Sequence, residues 1–230
     1  MKRLIALLAA VSLIAAATYA ISGSIVGTPH DFSGGYGGTD LGSDQICVYC
    51  HTPHNPVKAV PLWNRINQSH YVFEFYKTSA TLTTATKASG FNSGSVSLFC
   101  MNCHDGQTAL GSIKNPGVDS NNNTIVMDTS TVIRSTYGDI LTTDLTNSHP
   151  VGFNYASAAS QDATLAAKAT VESKLKTANV GGVIFFNDDA NNTGDMMECA
   201  SCHKVHDNEY TKFLRISNVG SNLCFACHIK

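Results

Sequence analysis

Charge is scarce in this chain. Only 14% of its 230 residues are Asp, Glu, Lys or Arg, against about 25% in an average globular protein. With 15 basic and 17 acidic residues the formal net charge is −2, which excludes a polybasic nucleic-acid binder and an acidic disordered tail. Tryptophan occurs once and proline six times. After the first twenty residues no apolar run approaches the roughly 20 residues that a bilayer span requires. Ser, Thr, Asn and Gly supply 80 of the 230 residues, so the polar surface is largely neutral.

The N-terminus carries the one long apolar stretch. Met1, Lys2 and Arg3 precede a run from Leu4 to Ala17, followed by Thr18-Tyr19-Ala20. A charged start, a short apolar segment and a small-residue site read as an export signal at residues 1–20, cleaved after Ala20 with Ala17 as the fallback. An uncleaved anchor is the competing reading, but the stretch is short of a full span. The first cysteine is Cys47, so a lipid anchor near the cleavage site has no attachment point. Cleavage removes Lys2 and Arg3 and leaves a net charge of −4. The expectation is an exported, soluble, mildly acidic mature chain, residues 21–230, forming one domain.

Cysteine is abundant and strictly arranged. All eight cysteines fall in four copies of one pattern: Cys47-Val-Tyr-Cys50-His51, Cys100-Met-Asn-Cys103-His104, Cys199-Ala-Ser-Cys202-His203 and Cys224-Phe-Ala-Cys227-His228. Cys-x-x-Cys-His is the attachment signature of c-type haem. On a helical turn, positions i, i+3 and i+4 share a face. Both thiols then reach the two vinyl groups of one porphyrin edge while the histidine reaches the iron as proximal ligand. Ser43, Ser97 and Ser221 precede the first, second and fourth motifs as candidate N-caps, and Asp195 with Glu198 reads as a capping box before the third. A disulfide framework suits an exported chain, redox dithiols use Cys-x-x-Cys, and zinc ribbons pair such motifs. None of these explains a histidine after every pair, a coincidence on the order of 10⁻⁶ at the chain's histidine frequency. Four covalently bound haems c are expected.

Five histidines remain for the opposite face of the irons: His30, His54, His70, His149 and His206. Bis-histidine ligation at all four haems needs four of them. Methionine, the axial ligand that raises potential, is short in supply, with Met127, Met196 and Met197 outside the signal and the motifs. His54 follows His51 by three residues and His206 follows His203 by three, so each is on the proximal side of its own haem and must serve another iron or none. His149 precedes Pro150, which biases it to an extended backbone and suits a ligand presented from a loop.

Between motifs lie 48, 94 and 20 residues, which makes the last two haems neighbours and residues 105–198 a long insert. Roughly 52 mature residues per haem are too few for four conventional cores, so stacked porphyrins must supply apolar interior. The fold class expected is a multihaem cytochrome c: mostly irregular loops, short helices at the motifs and a few short strands. Residues 21–42 are Gly-rich and read as extended. Trp63, Tyr71, Phe73, Phe75 and Tyr76 read as packing for porphyrin faces rather than electron relays. Within the insert, 122–146 is β-favouring, residues 163–178 with Leu165, Ala169, Val171 and Leu175 form the best helix outside the motifs, and Gly182-Val-Ile-Phe-Phe186 reads as a strand. Asp189-x-Asn191-x-Thr193-Gly194 mimics the start of a calcium loop, but its twelfth position is Ala200 rather than Glu, so a polar turn is expected there.

Cys202-His203-Lys-Val-His206 with Leu223-Cys-Phe-Ala-Cys-His228, the opening Cys50-His51-Thr-Pro-His54-Asn, and Asn147-Ser-His149-Pro-Val-Gly-Phe together resemble the multihaem c-type cytochromes of metal-reducing bacteria. Four motifs, the length and the early His30-Asp-Phe-Ser-Gly-Gly segment look most like their filament-forming tetrahaem outer-surface members, the outer-surface cytochrome E type. The resemblance implies an electron-transfer protein rather than an enzyme, polymerising outside the cell and passing electrons to other cytochromes and extracellular acceptors. It also implies that the histidine shortly after the first motif, here His54, ligates iron in the adjacent subunit. The alternatives are a monomeric periplasmic tetrahaem shuttle and a reductase, which needs an open iron position.

Overall fold

The computed structural model describes residues 24–57, 61–66, 72–133, 141–175, 185–187 and 194–229. The export signal, His70, Tyr71 and the candidate calcium positions 189–193 lie outside these residues.

The glycine-rich segment is not extended. Thr28 and Asp31 donate their backbone N–H groups to the Ile25 and Thr28 carbonyls, Gly35 donates to Phe32, and Tyr36 bridges Thr39. These turns demand glycine at specific points. At Gly35 (φ +84°) a Cβ would lie 2.3 Å from the Thr39 carbonyl oxygen, and at Gly42 (φ +97°) 2.1 Å from that of Val126. Folding back in this way delivers Phe32 and Leu41 to an apolar cluster with Val48, Tyr49, Leu110 and Ile133.

A 3-10 turn, Ile46–Tyr49, opens the first motif. Strand β1 (Glu74–Phe75), helix α1 (Thr84–Lys87) and helix α2 (Ser97–His104) follow, with the Thr83 hydroxyl accepting from the Thr86 N–H to cap α1. The insert carries β2 (Asp144–Leu145), β3 (Phe153–Asn154), α3 (Tyr155–Gln161), α4 (Lys168–Leu175) and β4 (Met196–Met197). Helix α5 (Cys199–Cys202), 3-10 turns at Thr211–Phe213 and Val219–Ser221, and α6 (Asn222–Cys227) complete the described chain. β1 pairs in parallel with β2, Glu74 opposite Asp144; β3 pairs antiparallel with β4, Phe153 opposite Met197. Short helices, two-residue strands and predominant loop agree with the expected class.

The insert departs from its sequence reading in two places. The helix expected over 163–178 begins only at Lys168, because the Asp162 carboxylate accepts from both the N–H and the hydroxyl of Thr164. That local turn competes with helix formation and leaves Leu165 to bridge His228. Helix α3 lies where the sequence reading places no element; Asn154 caps it by accepting from the Ser157 N–H at 2.8 Å, while its small side chains carry little apolar periodicity. Of the β-favouring stretch 122–146, the described residues use only the Val118–Thr124 bridge and β2. Phe186 of the expected strand bridges Met196, with 182–184 outside the described residues.

A second apolar cluster joins Phe153, Tyr155, Ala158, Ala166, Val171, Phe185, Met197, Ile216 and Ala226. The Tyr155 and Phe185 rings stack at 4.7 Å, and the Tyr155 hydroxyl donates to the Ala166 carbonyl. The first cluster backs motifs one and two through Cys50 and Cys103, and the second backs motif four through Ala226 and Cys227. Among the described residues no helix is long and apolar enough to cross a membrane.

Candidate haem-attachment sites

Each motif occupies a helical turn. His51, His203 and His228 donate their backbone N–H to Cys47, Cys199 and Cys224, and the second motif lies wholly within α2. The expected i, i+3, i+4 presentation is therefore present four times. The capping expectations need correction. Ser97 is inside α2, and its hydroxyl reaches across to the Glu198 carboxylate. The third motif's box is formed by Glu198 and Ser201, whose hydroxyl accepts from the Glu198 N–H at 2.9 Å; Asp195 instead pairs with Lys168. Ser221 precedes α6 in a left-handed conformation without a side-chain cap, and the Asn218 carboxamide accepts from Leu223. Ser43 is one turn early; its hydroxyl accepts from Gln45.

None of the eight thiols forms a disulfide, which removes the framework reading. Burial pushes the Cys50 and Cys202 thiols up to about 12, the reverse of the lowered value a redox dithiol needs. Cys100 and Cys199 share a hydrogen bond that raises the first and lowers the second.

The histidines are brought together across the motifs. His30 lies against His104 with ring centres 6.2 Å apart, His206 against His51 at 6.0 Å, and His149 against His228 at 6.5 Å. Two imidazoles sharing one iron, with metal–nitrogen bonds of about 2.0 Å, hold their ring centres about 6.2 Å apart. The three pairs fit a bis-histidine haem. Donor chemistry agrees: Nδ1 of His51, His203 and His149 donates to the carbonyls of Pro61 (2.7 Å), Lys212 (2.8 Å) and Pro150 (3.0 Å). A carbonyl only accepts, so the proton is on Nδ1 and the Nε2 lone pair faces outward for metal. Partial desolvation holds His149 and His203 below the ordinary imidazole range, favouring the neutral, ligating form.

His206 faces the first motif and not its own, as its spacing required. Two groups are left over. His203 has no imidazole ring opposite it among the described residues, and exposed His54 touches none either. Of the expected aromatics, Trp63 packs on Phe99 at 4.7 Å, and Phe73 and Phe75 flank Phe91.

The thiols also reveal an order. Cys50 is a neighbour of Cys103, Cys100 bonds to Cys199, and Cys202 is a neighbour of Cys227. The attachment turns thus succeed one another in space as they do in sequence, with motifs three and four adjacent. Asp105, Glu198 and Arg65 are buried charges in this row; Asp105 directly follows the second motif, the sequence reading has Glu198 as a capping residue of the third, and it does not place Arg65 there. Glu198, 2% exposed, bridges α2 and α5 through Ser97. Arg65, 1% exposed, spans the first two motifs. Its only sequence signal is a lone cation in the apolar stretch Pro61-Leu-Trp-Asn-Arg-Ile66.

A family described as the doubled CXXCH motif matches residues 191–230, the span holding motifs three and four. The match supports a multihaem c-type cytochrome, a haem-binding protein of electron transfer. No curated protein matches the chain.

Proposed function

We propose that this chain is an exported tetrahaem cytochrome that polymerises into an extracellular filament and conducts electrons along a continuous haem row to external acceptors. Cys47, Cys50, Cys100, Cys103, Cys199, Cys202, Cys224 and Cys227 hold four haems c by thioether bonds, and His51, His104, His203 and His228 are the proximal ligands. The observation that carries the reading is the set of three imidazole pairs at the separation one iron imposes. In it His206 is the distal ligand of the first haem, His30 of the second and His149 of the fourth. The haem group supplies reversible one-electron chemistry; the chain aligns it, excludes water and fixes the ligands.

The third haem and His54 complete each other between subunits. His203 faces no second imidazole among the described residues, and His54 is exposed and unused, so a head-to-tail contact in which His54 enters the neighbour's third haem satisfies both. Such a heterologous contact does not close and generates a filament. Low surface charge reduces self-repulsion between copies.

Electron microscopy and haem spectroscopy of wild-type and His54→Ala protein test this. Wild type should form filaments with every haem low-spin, and the variant should lose filaments while one haem in four turns high-spin. Unchanged filament length and ligation in the variant would refute the ligand exchange, with His70 then completing the third haem. A non-polymerising wild type sedimenting near its own mass of 24.4 kDa plus haem would be a shuttle, and one with an exchangeable high-spin haem a reductase.

A further inference from the structure

Arg65 is held in an unusual place for a permanent cation. Trp63 and Asn64 lay their backbone along the first motif, through the His51–Trp63 bridge and the Asn64 N–H donating to the Cys50 carbonyl. The next side chain is thereby aimed between the first two attachment turns. Its Nη1 donates to the carbonyls of Tyr49 (3.3 Å) and Leu110 (2.6 Å), and its Nη2 to those of Asn102 (3.2 Å) and Ala109 (2.7 Å). Tyr49 and Asn102 are the residues immediately before Cys50 and Cys103. The guanidinium therefore ties the second cysteine of one motif to the second cysteine of the next. Its Nε–H is buried with no hydrogen-bond partner among the described residues.

Among the described residues no carboxylate answers this charge. The ion pairs join Lys168 and Lys204 to their acids, and none involves Arg65. The first-motif turn and α2 bring no acid to its guanidinium. The loop after α2 brings Asp105, which is buried but turned into its own loop, accepting from the N–H groups of Gln107 and Thr108. Asp105, 1% exposed and next in sequence to His104, opposes Arg65 at the second motif, whereas the described acids nearest the first-motif turn, Asp40 and Asp44, are exposed to solvent. Further along the row, Arg215 lies near Cys202 but is partly exposed, and Glu198 opposes it beside Cys199.

An interior cation that no carboxylate of the described residues pairs is costly to bury, and an arginine cannot shed its proton to relieve the cost. Four backbone carbonyls suffice to hold the side chain, and they neutralise no charge. Reduction adds one electron to a haem and lowers its charge by one. A fixed positive charge nearby in a medium of low dielectric favours that state.

We propose that Arg65 sets the potential profile of the row, holding the first haem at a more positive reduction potential than the other three. The inference rests on the haem reading above. Electrons then settle preferentially at the Cys47–His51 end, which gives the otherwise uniform bis-histidine row a direction.

The test is an electrochemical titration of the purified holoprotein, followed haem by haem through the porphyrin methyl resonances, for wild type, Arg65→Met and Arg65→Lys. In wild type the first haem should take its electron first. Arg65→Met should weaken electron binding at the first haem tenfold or more, a shift of 59 mV or more for one electron, with a smaller change at the second and none at the fourth. Arg65→Lys should keep most of the wild-type value. A first haem that is not the most positive in wild type overturns the proposal without recourse to any variant, so a Met variant that fails to mature does not shelter it. An equal shift at all four haems, or none at the first, overturns it as well. Intact mass separates this from the reading beneath it: fewer than four haem adducts on wild type would defeat the tetrahaem assignment, whereas four adducts with an unmoved first haem would defeat only the role of Arg65.

Discussion

Nδ1 of His51 donates to Pro61 and Nδ1 of His203 to Lys212, and these bonds decide which nitrogen is left for metal. They also lock ring orientation, so that the axial direction of each motif is set by a backbone carbonyl some ten residues away in the chain. The imidazole that faces the motif histidine comes from a remote segment in three cases: His206 for the first motif, His30 for the second, His149 for the fourth. Replacing one distal imidazole by alanine leaves that iron with a single strong ligand. His206→Ala, His30→Ala and His149→Ala should therefore each convert one haem in four to a high-spin form that binds one carbon monoxide per chain, read from the visible spectrum and a gas titration. Each double variant should bind two. A single variant that binds none would show that its histidine is not a ligand.

Among the described residues the helices are at most eight residues long, shorter than an isolated helix needs in water, so their stability comes from what they pack against. Turn geometry therefore matters as much as helix propensity, and the glycines of the N-terminal segment show it. Gly42 has φ +97° and its absent Cβ would fall 2.1 Å from the Val126 carbonyl oxygen, whereas Gly38 has φ +83° with nothing within 4 Å. Both substitutions by alanine carry the backbone penalty, about 1 kcal/mol. Gly42→Ala must in addition displace the 126–128 segment, where Asp128 donates its N–H to the Leu41 carbonyl, and should cost about 3 kcal/mol or more. Denaturant midpoints of the two variants should separate clearly; equal midpoints would mean that the 126–128 contact contributes nothing to stability.

Across the whole molecule, the second and third motifs meet where Ser97 of α2 touches Glu198 ahead of α5. Desolvation raises the Glu198 carboxyl above its ordinary 4.5, and the hydrogen bonds from Ser97 and Ser95 only partly offset it. A carboxyl raised in the folded state contributes stability that is complete below the unfolded value and is lost as pH rises through the folded one. Glu198→Gln should abolish that loss. Asp128, held down to about 2 by Ser130 and Thr131, acts with the opposite sign: its stabilisation is present above its unfolded value and fades as pH falls toward 2. The readout is accordingly the difference between the wild-type and Glu198→Gln stability profiles, which should widen in favour of the variant from pH 4.5 upward. A constant difference would mean that Glu198 titrates alike in the folded and unfolded chains.

Local chemistry is legible in the order of residues. A Cys-x-x-Cys-His turn is complete within five residues, so spacing alone places all four motifs on helical turns, and the small number of residues per motif announces a loop-rich fold without four conventional cores. Short-range competition is harder to see: Asp162 stops a helix that periodicity extends to residue 163, and positive-φ glycines fold a segment whose composition reads as extended. Partner identity is illegible, because His30 and His104, or His51 and His206, meet only after several turns, each a small angular choice, have accumulated along the chain. Arg65 makes the same point more sharply. Nothing in Trp63-Asn-Arg65 distinguishes a buried cation from a solvated one until Tyr49, Asn102, Ala109 and Leu110 bring four carbonyls to it from three separate segments. Residue order is enough to say where the attachment turns are, since covalent spacing is a local property; which imidazoles face each other, and where Arg65 comes to be buried, follow from the folded chain, since those depend on distances between segments that no local rule sets.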